Sequence, residues 1–230
     1  MRRSVAVVLS IGVVGPALAQ APAYSFEGGR ALVATTGAVN RSLGWTFSVS
    51  NDIFVTSLGY FDGGNTSPGG PADGLFLSHD VAIWDDAGQV VASATVGAGQ
   101  SGFTVNNWRY ADLGFDVLLE EGRTYTIGSF APTGTFGTAQ PYDPLPSFNS
   151  DWIFSLNPAD VRPPSIDLSP VVNFEDSVFT LNLPFLTQPS TVGNGNFGLA
   201  GGNFLWVPVP GPSAFVGLAI GATLAARRRR

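Results

Sequence analysis

The chain has 230 residues, a formal net charge of −6, and neither cysteine nor lysine. Six of its eleven basic residues are arginines at the two ends, so the interior sets five arginines against 17 carboxylates. That excess of negative charge repels phosphate backbones and excludes nucleic acid as a partner. The lack of thiols excludes disulfides, thiolate metal sites and cysteine nucleophiles.

In chain order, residues 1–19 have the pattern of a removable export signal. Met1-Arg2-Arg3 gives a positive start, residues 5–15 are a short apolar run, and Ala17-Leu18-Ala19 supplies the small-x-small pattern cut by signal peptidase, with Ala17 and Ala19 as the small positions. The residues around Arg2-Arg3 do not support twin-arginine export, so general secretion is expected. About 185 residues remain between the two ends, enough for one domain with its own core.

Residues 20–189 read as that domain. Leu43, Trp45, Phe47 and Val49 alternate with Gly44, Thr46 and Ser48, the period of a half-buried strand. Asn51-Asp52 predicts a turn and residues 53–61 a second strand, followed by a long Gly/Pro/Asn loop over 62–78. Residues 79–84 and 90–96 form a hairpin about Asp85-Asp86-Ala87-Gly88. Further strands are expected over 103–105, 108–113, 117–119 and 124–130, and beyond a Pro-rich stretch over 152–156 and 178–183. With high Gly and Pro, many β-branched and aromatic residues and no helical period, the fold class is all-β: an antiparallel β-sandwich, jelly-roll-like. Residues 190–206 are Gly/Asn-rich and read as a linker.

Residues 207–230 are a sorting tail. Val207, Pro208, Val209 and Pro210 make a proline-rich break, residues 213–226 are an uncharged apolar segment, and Arg227, Arg228, Arg229 and Arg230 follow. Such an arginine cluster stays on the cytoplasmic side and makes the apolar segment a transmembrane stop. At about 1.5 Å per residue the segment reaches roughly 21 Å, short of the ~30 Å hydrocarbon core. Phe204 and Trp206 read as an interfacial aromatic anchor that helps cover the difference. So short a segment suits a temporary hold. With the signal in front, the body is expected outside the cytoplasmic membrane, transiently anchored there, then at the cell surface or extracellular.

The tail resembles the PEP-CTERM sorting signal of bacterial exported proteins, which joins a Val-Pro-Glu-Pro motif, an apolar segment and a terminal arginine cluster. Val209 stands where that family carries glutamate. The resemblance implies an exosortase-like membrane enzyme as a partner, cutting near the motif. A second resemblance runs over about residues 43–130, through Leu58-Gly-Tyr-Phe-Asp62, His79-Asp-Val-Ala-Ile-Trp-Asp85, Trp108-Arg-Tyr110 and Leu119-Glu-Glu-Gly-Arg-Thr-Tyr-Thr-Ile127. These blocks are similar to a β-sandwich domain of unknown function that recurs in bacterial secreted and surface proteins. It implies the fold and an extracellular setting, and brings no catalytic residues.

Four kinds of site can be sketched. His79 is the sole histidine and sits between Ser78 and Asp80, but no Gly-x-Ser-x-Gly elbow presents a nucleophile, so it reads as a structural histidine bonded to a loop carbonyl or a carboxylate. Glu120 and Glu121 lie on a turn and read as solvated acids, not a glycosidase pair. Asp62, Asn65 and Asp73 share one long loop and supply the oxygen ligands of a calcium site, calcium being the one cofactor in question. Their bland reading is self-capping turn residues. Trp45, Trp84, Trp108 and Trp152 fall on strands, where exposed indoles would stack on sugars and buried ones would pack the core. Trp45, facing with Leu43 and Phe47, reads as core.

Together these readings give a non-enzymatic structural or adhesive protein of the extracellular matrix. The alternatives are a carbohydrate-binding module for extracellular polysaccharide, calcium-dependent or not, and third a secreted hydrolase. The intact mass of the product from native cells tests the tail directly. A mass ending within about residues 206–211 indicates sorting, whereas one retaining Arg227 to Arg230 makes the tail a plain anchor.

Overall fold

The computed structural model describes residues 19–27, 30–32, 40–62, 74–75, 77–131, 153–155, 165–181, 183, 186–192, 199–200 and 202–210. Among them it is all-β, with β1 (Ala21–Pro22), β2 (Tyr24–Glu27), β3 (Arg30–Leu32), β4 (Arg41–Val49), β5 (Ile53–Phe61), β6 (His79–Asp85), β7 (Val90–Val96) and β8 (Phe103–Val105). There follow β9 (Trp108–Leu119), β10 (Thr124–Ala131), β11 (Ile153–Ser155), β12 (Ser165–Leu168), β13 (Val172–Leu181), β14 (Thr191–Val192), β15 (Leu199–Ala200) and β16 (Asn203–Pro208). A five-stranded sheet in the order β1-β16-β5-β9-β8 faces a six-stranded sheet in the order β14-β13-β4-β10-β6-β7. Every pairing is antiparallel, and two small ribbons, β15-β11-β3 and β12-β2, complete the set.

One apolar core lies between the large sheets. Trp45, Phe47, Val81, Ile83 and Ile127 from one meet Ile53, Val55, Leu58 and Phe204 from the other. The alternation read over residues 43–49 holds from Trp45 on, with Trp45, Phe47 and Val49 buried and Thr46 and Ser48 half-exposed, whereas Gly44 is buried along with Leu43. The Trp45 indole N–H donates to the Gly202 carbonyl at 2.9 Å, so the core aromatic with a polar edge also ties down the approach to β16.

Turn chemistry follows the sequence closely. Asp85 Oδ1 accepts from the N–H groups of Ala87 and Gln89 at 3.0 and 2.9 Å, and Gly88 takes the positive φ that closes the β6–β7 hairpin. Asn106 and Asn107 both have positive φ, making the two-residue turn that joins Val105 to its partner Trp108. The strands expected at 108–113 and 117–119 are one strand. Its pairing jumps from Val55↔Val117 to Ser57↔Asp112, and the residues pushed out include Gly114, at φ +75°, and Phe115, which is 71% exposed. The strand expected at 178–183 begins earlier, at Val172, and runs alongside the whole of β4.

The largest correction concerns the C-terminal end of the domain. Residues 190–206, read as a linker after a domain ending at 189, include most of β16, which lies inside the five-stranded sheet between β1 and β5. The Gly/Asn-rich composition before it conceals the apolar run Phe204-Leu205-Trp206-Val207. Phe204 and Leu205 are 0% and 1% exposed and Trp206 is 9% exposed, so neither Phe204 nor Trp206 is available as an interfacial anchor. Among the described residues no helix is long and apolar enough to cross a membrane. The apolar segment 213–226 and the signal up to residue 18 lie outside the described residues.

A chain ending at Gly202 is therefore expected to lose its cooperative thermal unfolding transition, while one ending at Pro210 keeps it. Phe204→Ala in the full chain is expected to cost about 3–5 kcal/mol in denaturant unfolding, the usual penalty for emptying a buried phenyl site.

Candidate functional site

Each chemically capable group sits where a particular strand puts it. His79 opens β6 and points inward, 0% exposed. Its ring lies parallel to that of Tyr60 across the core, with centroids 3.7 Å apart and planes within 6°. Its Nδ1 is 3.0 Å from the Phe130 carbonyl, the geometry of an Nδ1–H donor. The sequence suggested a structural histidine bonded to a loop carbonyl or a carboxylate; the histidine is structural, but its partner is a carbonyl of strand β10. Its sequence neighbours cannot join it, because successive residues of a strand face opposite sides. Ser78 is exposed and its hydroxyl accepts from the Ala98 N–H at 3.1 Å. Asp80 is exposed and bonded to the Thr95 hydroxyl at 2.6 Å.

Asp62 directly follows β5 and is almost fully buried. Arg109, in the middle of the β8–β9 end of the sheet, donates to Asp62 Oδ2 through Nε at 2.7 Å and through a terminal nitrogen at 2.6 Å. The Gly74 N–H adds bonds to both carboxylate oxygens at 3.1 and 3.2 Å, and Arg109 also donates to the Ser101 carbonyl at 3.2 Å. A carboxylate this enclosed needs a counter-charge, and a guanidinium supplies it with two nitrogens converging on Oδ2. Among the described residues the cationic partner of Asp62 is thus Arg109. Asn65 and Asp73, the other expected ligands, lie outside the described residues. Among the described residues no group of three or more His, Asp or Glu side chains is placed to hold a metal ion.

At the other end of the sandwich, Arg123 gathers the exposed acids. It donates to Asp86 at 2.8 Å and to Glu120 at 3.1 Å, and lies 3.7 Å from Asp85. The hydrogen bond and the charge of Arg123 hold the Asp86 carboxyl below its ordinary range. Glu120 and Glu121 are exposed turn residues, and the Glu121 N–H donates to Asp52 at 2.8 Å. Burial raises the Tyr24 and Tyr110 hydroxyls well above the normal phenol range, so neither acts as a base at neutral pH.

The described tryptophans are buried. Trp45, Trp84 and Trp108 are all at most 5% exposed, and Trp152 lies outside the described residues. No indole among the first three offers a face to a sugar ring. What the outer face of β6 and β7 does offer is a shallow cleft of about 480 Å³, lined by Asp80, Ser93, Thr95 and Leu186. Its walls combine a carboxylate, hydroxyls and an aliphatic side chain, a set able to hydrogen-bond a neutral polyol.

The proline-rich run Val207 to Pro210 begins inside the sheet. Val207 and Pro208 pair with Phe54 and Ile53, and the Val209 N–H approaches the Asp52 carbonyl at 3.5 Å. Ala19 is exposed ahead of β1, while Ala17 and Arg227 to Arg230 lie outside the described residues. Two features had no simple signal in the sequence, the Asp62–Arg109 pair and the Tyr60–His79 stack. The first joins residues brought together by the register of β5 against β9, the second residues brought together by the packing of one sheet on the other.

The sequence profile of a family described as Domain of unknown function (DUF4082) matches residues 30–147, just over half of the chain. No curated protein matches it.

Asp62→Asn, which keeps the volume and removes the charge, is expected to destabilise the fold by about 3–5 kcal/mol by stranding a buried guanidinium. Calcium and EDTA are expected to leave the thermal midpoint of the unaltered chain in place. A midpoint that rises with calcium would mean that the loop holds the ion after all.

Proposed function

The chain belongs to the DUF4082 family of domains of unknown function, and from that premise we propose that it is an exported structural or adhesive protein of the cell surface or extracellular matrix. Its body is a jelly-roll-like sandwich, led out by the N-terminal signal and sorted through the PEP-CTERM-like tail by an exosortase-like membrane enzyme. One observation carries this reading: the strand β16 that runs directly into the tail motif is hydrogen-bonded on both sides, to β1 and to β5. A pull on the tail loads those ladders along the strand, so several backbone bonds must give together before the strand moves. That suits a domain held by its end and presented to its surroundings. The enclosed histidine, the neutralised Asp62 and the acidic surface support a role without chemistry.

A second reading rests on the Asp80, Ser93 and Thr95 cleft, which would take a neutral extracellular polysaccharide. Calcium dependence gains no support, because the expected ligand Asp62 already has its cation.

Cells making the full chain are expected to carry it in the surface or matrix fraction, and cells making a chain without residues 211–230, which keeps all of β16, are expected to release it into the medium. On a glycan array with and without EDTA, the structural reading expects flat binding throughout. A signal that Asp80→Ala removes would move the assignment to a carbohydrate-binding module. Turnover on a panel of polysaccharide and ester substrates would overturn both.

A further inference from the structure

We propose that one pole of the sandwich, built from the turns at residues 50–52, 85–89 and 120–123, faces the lipid surface while the chain is held in the membrane. The opposite pole, with residues 97–102 and the Asn106-Asn107 turn, then faces outward. This rests on the export-and-sorting reading above and adds an orientation to it.

The geometry starts from the pairing of the two ends of the folded body. β1 runs antiparallel to β16 with Ala21 opposite Trp206 and Pro22 opposite Leu205. The residues before β1 and those after β16 therefore leave the sheet side by side and in the same direction. The pole they reach is fixed by Pro208 opposite Ile53 and by the Val209 contact to Asp52. Leu119 also lies opposite Ile53, Thr124 opposite Ser48 and Tyr125 opposite Asp85. All three turns thus cluster about the exit of both chain ends.

The tether on each side is short. Only residues 211 and 212 stand between Pro210 and the apolar run that starts at Ser213. Three peptide steps reach at most about 11 Å, whatever their conformation. On the other side four steps separate Ala19 from the apolar run ending at Gly15, a reach of at most about 14 Å. A body tied this closely at one pole cannot turn its far pole to the bilayer, since strands of nine residues separate the two by roughly 25–30 Å. It can also fold completely with both apolar runs still in place, because no described strand has to pass between them.

The charge of this pole sets how it meets the lipid. Asp52, Asp86, Glu120 and Glu121 are exposed there, with Arg123 already engaged by Asp86 and Glu120. Anionic headgroups repel such acids within a Debye length of about 10 Å at 0.1 M salt, which is also the reach of the tether. The pole therefore stands in water at headgroup level, the body upright above it. Once the tail is cut, the same repulsion favours departure.

Because the chain has no cysteine, single thiols report position cleanly. Ala87→Cys and Gln100→Cys place a fluorophore in an exposed turn at each pole. The full chain is reconstituted into phosphatidylethanolamine–phosphatidylglycerol vesicles that carry a headgroup quencher, and flotation is scored separately from quenching. The expected result is flotation of both variants, with most emission lost at position 87 and little at position 100. Equal loss at both, or greater loss at 100, overturns the orientation while leaving anchoring intact. Failure to float overturns the anchoring reading and the orientation with it. Glu121→Cys and Ala98→Cys repeat the comparison at neighbouring exposed positions, should either first variant lose its unfolding transition.

Discussion

The structure depends on a strand arriving from the end of the body to complete a sheet begun at its start. β5 is buried along nearly all of its length, and so needs a hydrogen-bonded neighbour on each edge. β9 supplies one, through a connection inside the central part of the chain. The other comes from β16, some 150 positions beyond β5, with β1 from the opposite end of the chain behind it. Without β16 the carbonyls and N–H groups of β5 would face a half-formed core, and an unpaired buried backbone group costs about as much as a lost hydrogen bond. Cysteine being absent, no covalent link can substitute for that closure. The fold is therefore held by non-local pairing, which requires the chain to be present through residue 208 before the core can close.

Polar groups inside this core follow the same logic of closure. The Asp62–Arg109 pair joins the end of β5 to β9 and reaches, through Gly74 and Ser101, into the two loops that meet at that pole. A buried pair is seldom a net source of stability compared with an apolar replacement, but leaving either partner alone is expensive. Its effect is to admit one arrangement of those loops and penalise others. His79 plays a similar part across the sandwich. Stacked on Tyr60 and bonded to the Phe130 carbonyl, it fixes β6 against both β5 and β10. The residues that looked most like chemistry in the sequence are the ones that lock the strands in register.

What could be read from the sequence was whatever depends on neighbours in sequence. The two-residue period of Leu43, Trp45, Phe47 and Val49 reports a strand with one buried face, and Asp85 to Gly88 reports its own turn through side-chain bonds two and four residues on. The pairing of Asp62 was not legible for the complementary reason: an Asp beside Gly and Asn looks like a loop ligand until the partner at Arg109, 47 positions away, is known. β16 was missed because the glycines and asparagines before it set the local composition. Its burial depends on β5, which no window around residue 205 contains. Trp84 and Trp108 could not be placed because strands buried on both faces have no period to read.

The same argument bears on where the domain ends. The family match covers residues 30–147 and so includes the pairings of β4 with β10, β10 with β6, β6 with β7, β5 with β9 and β9 with β8. Taken alone, that set leaves one edge of β4 and one edge of β5 open, in the centre of each sheet. In this chain the first is filled by β13 and the second by β16, both beyond the match. Open edges carrying Trp45, Phe47 and Leu58 beside them would be sites for pairing with other chains. The unit that can exist alone is thus larger than the family segment and runs to Pro208 at the end of β16. Placing the last core strand against that motif leaves no slack between body and tail. Any enzyme that cuts there must work beyond Pro208 or first pull the closing strand out of its sheet.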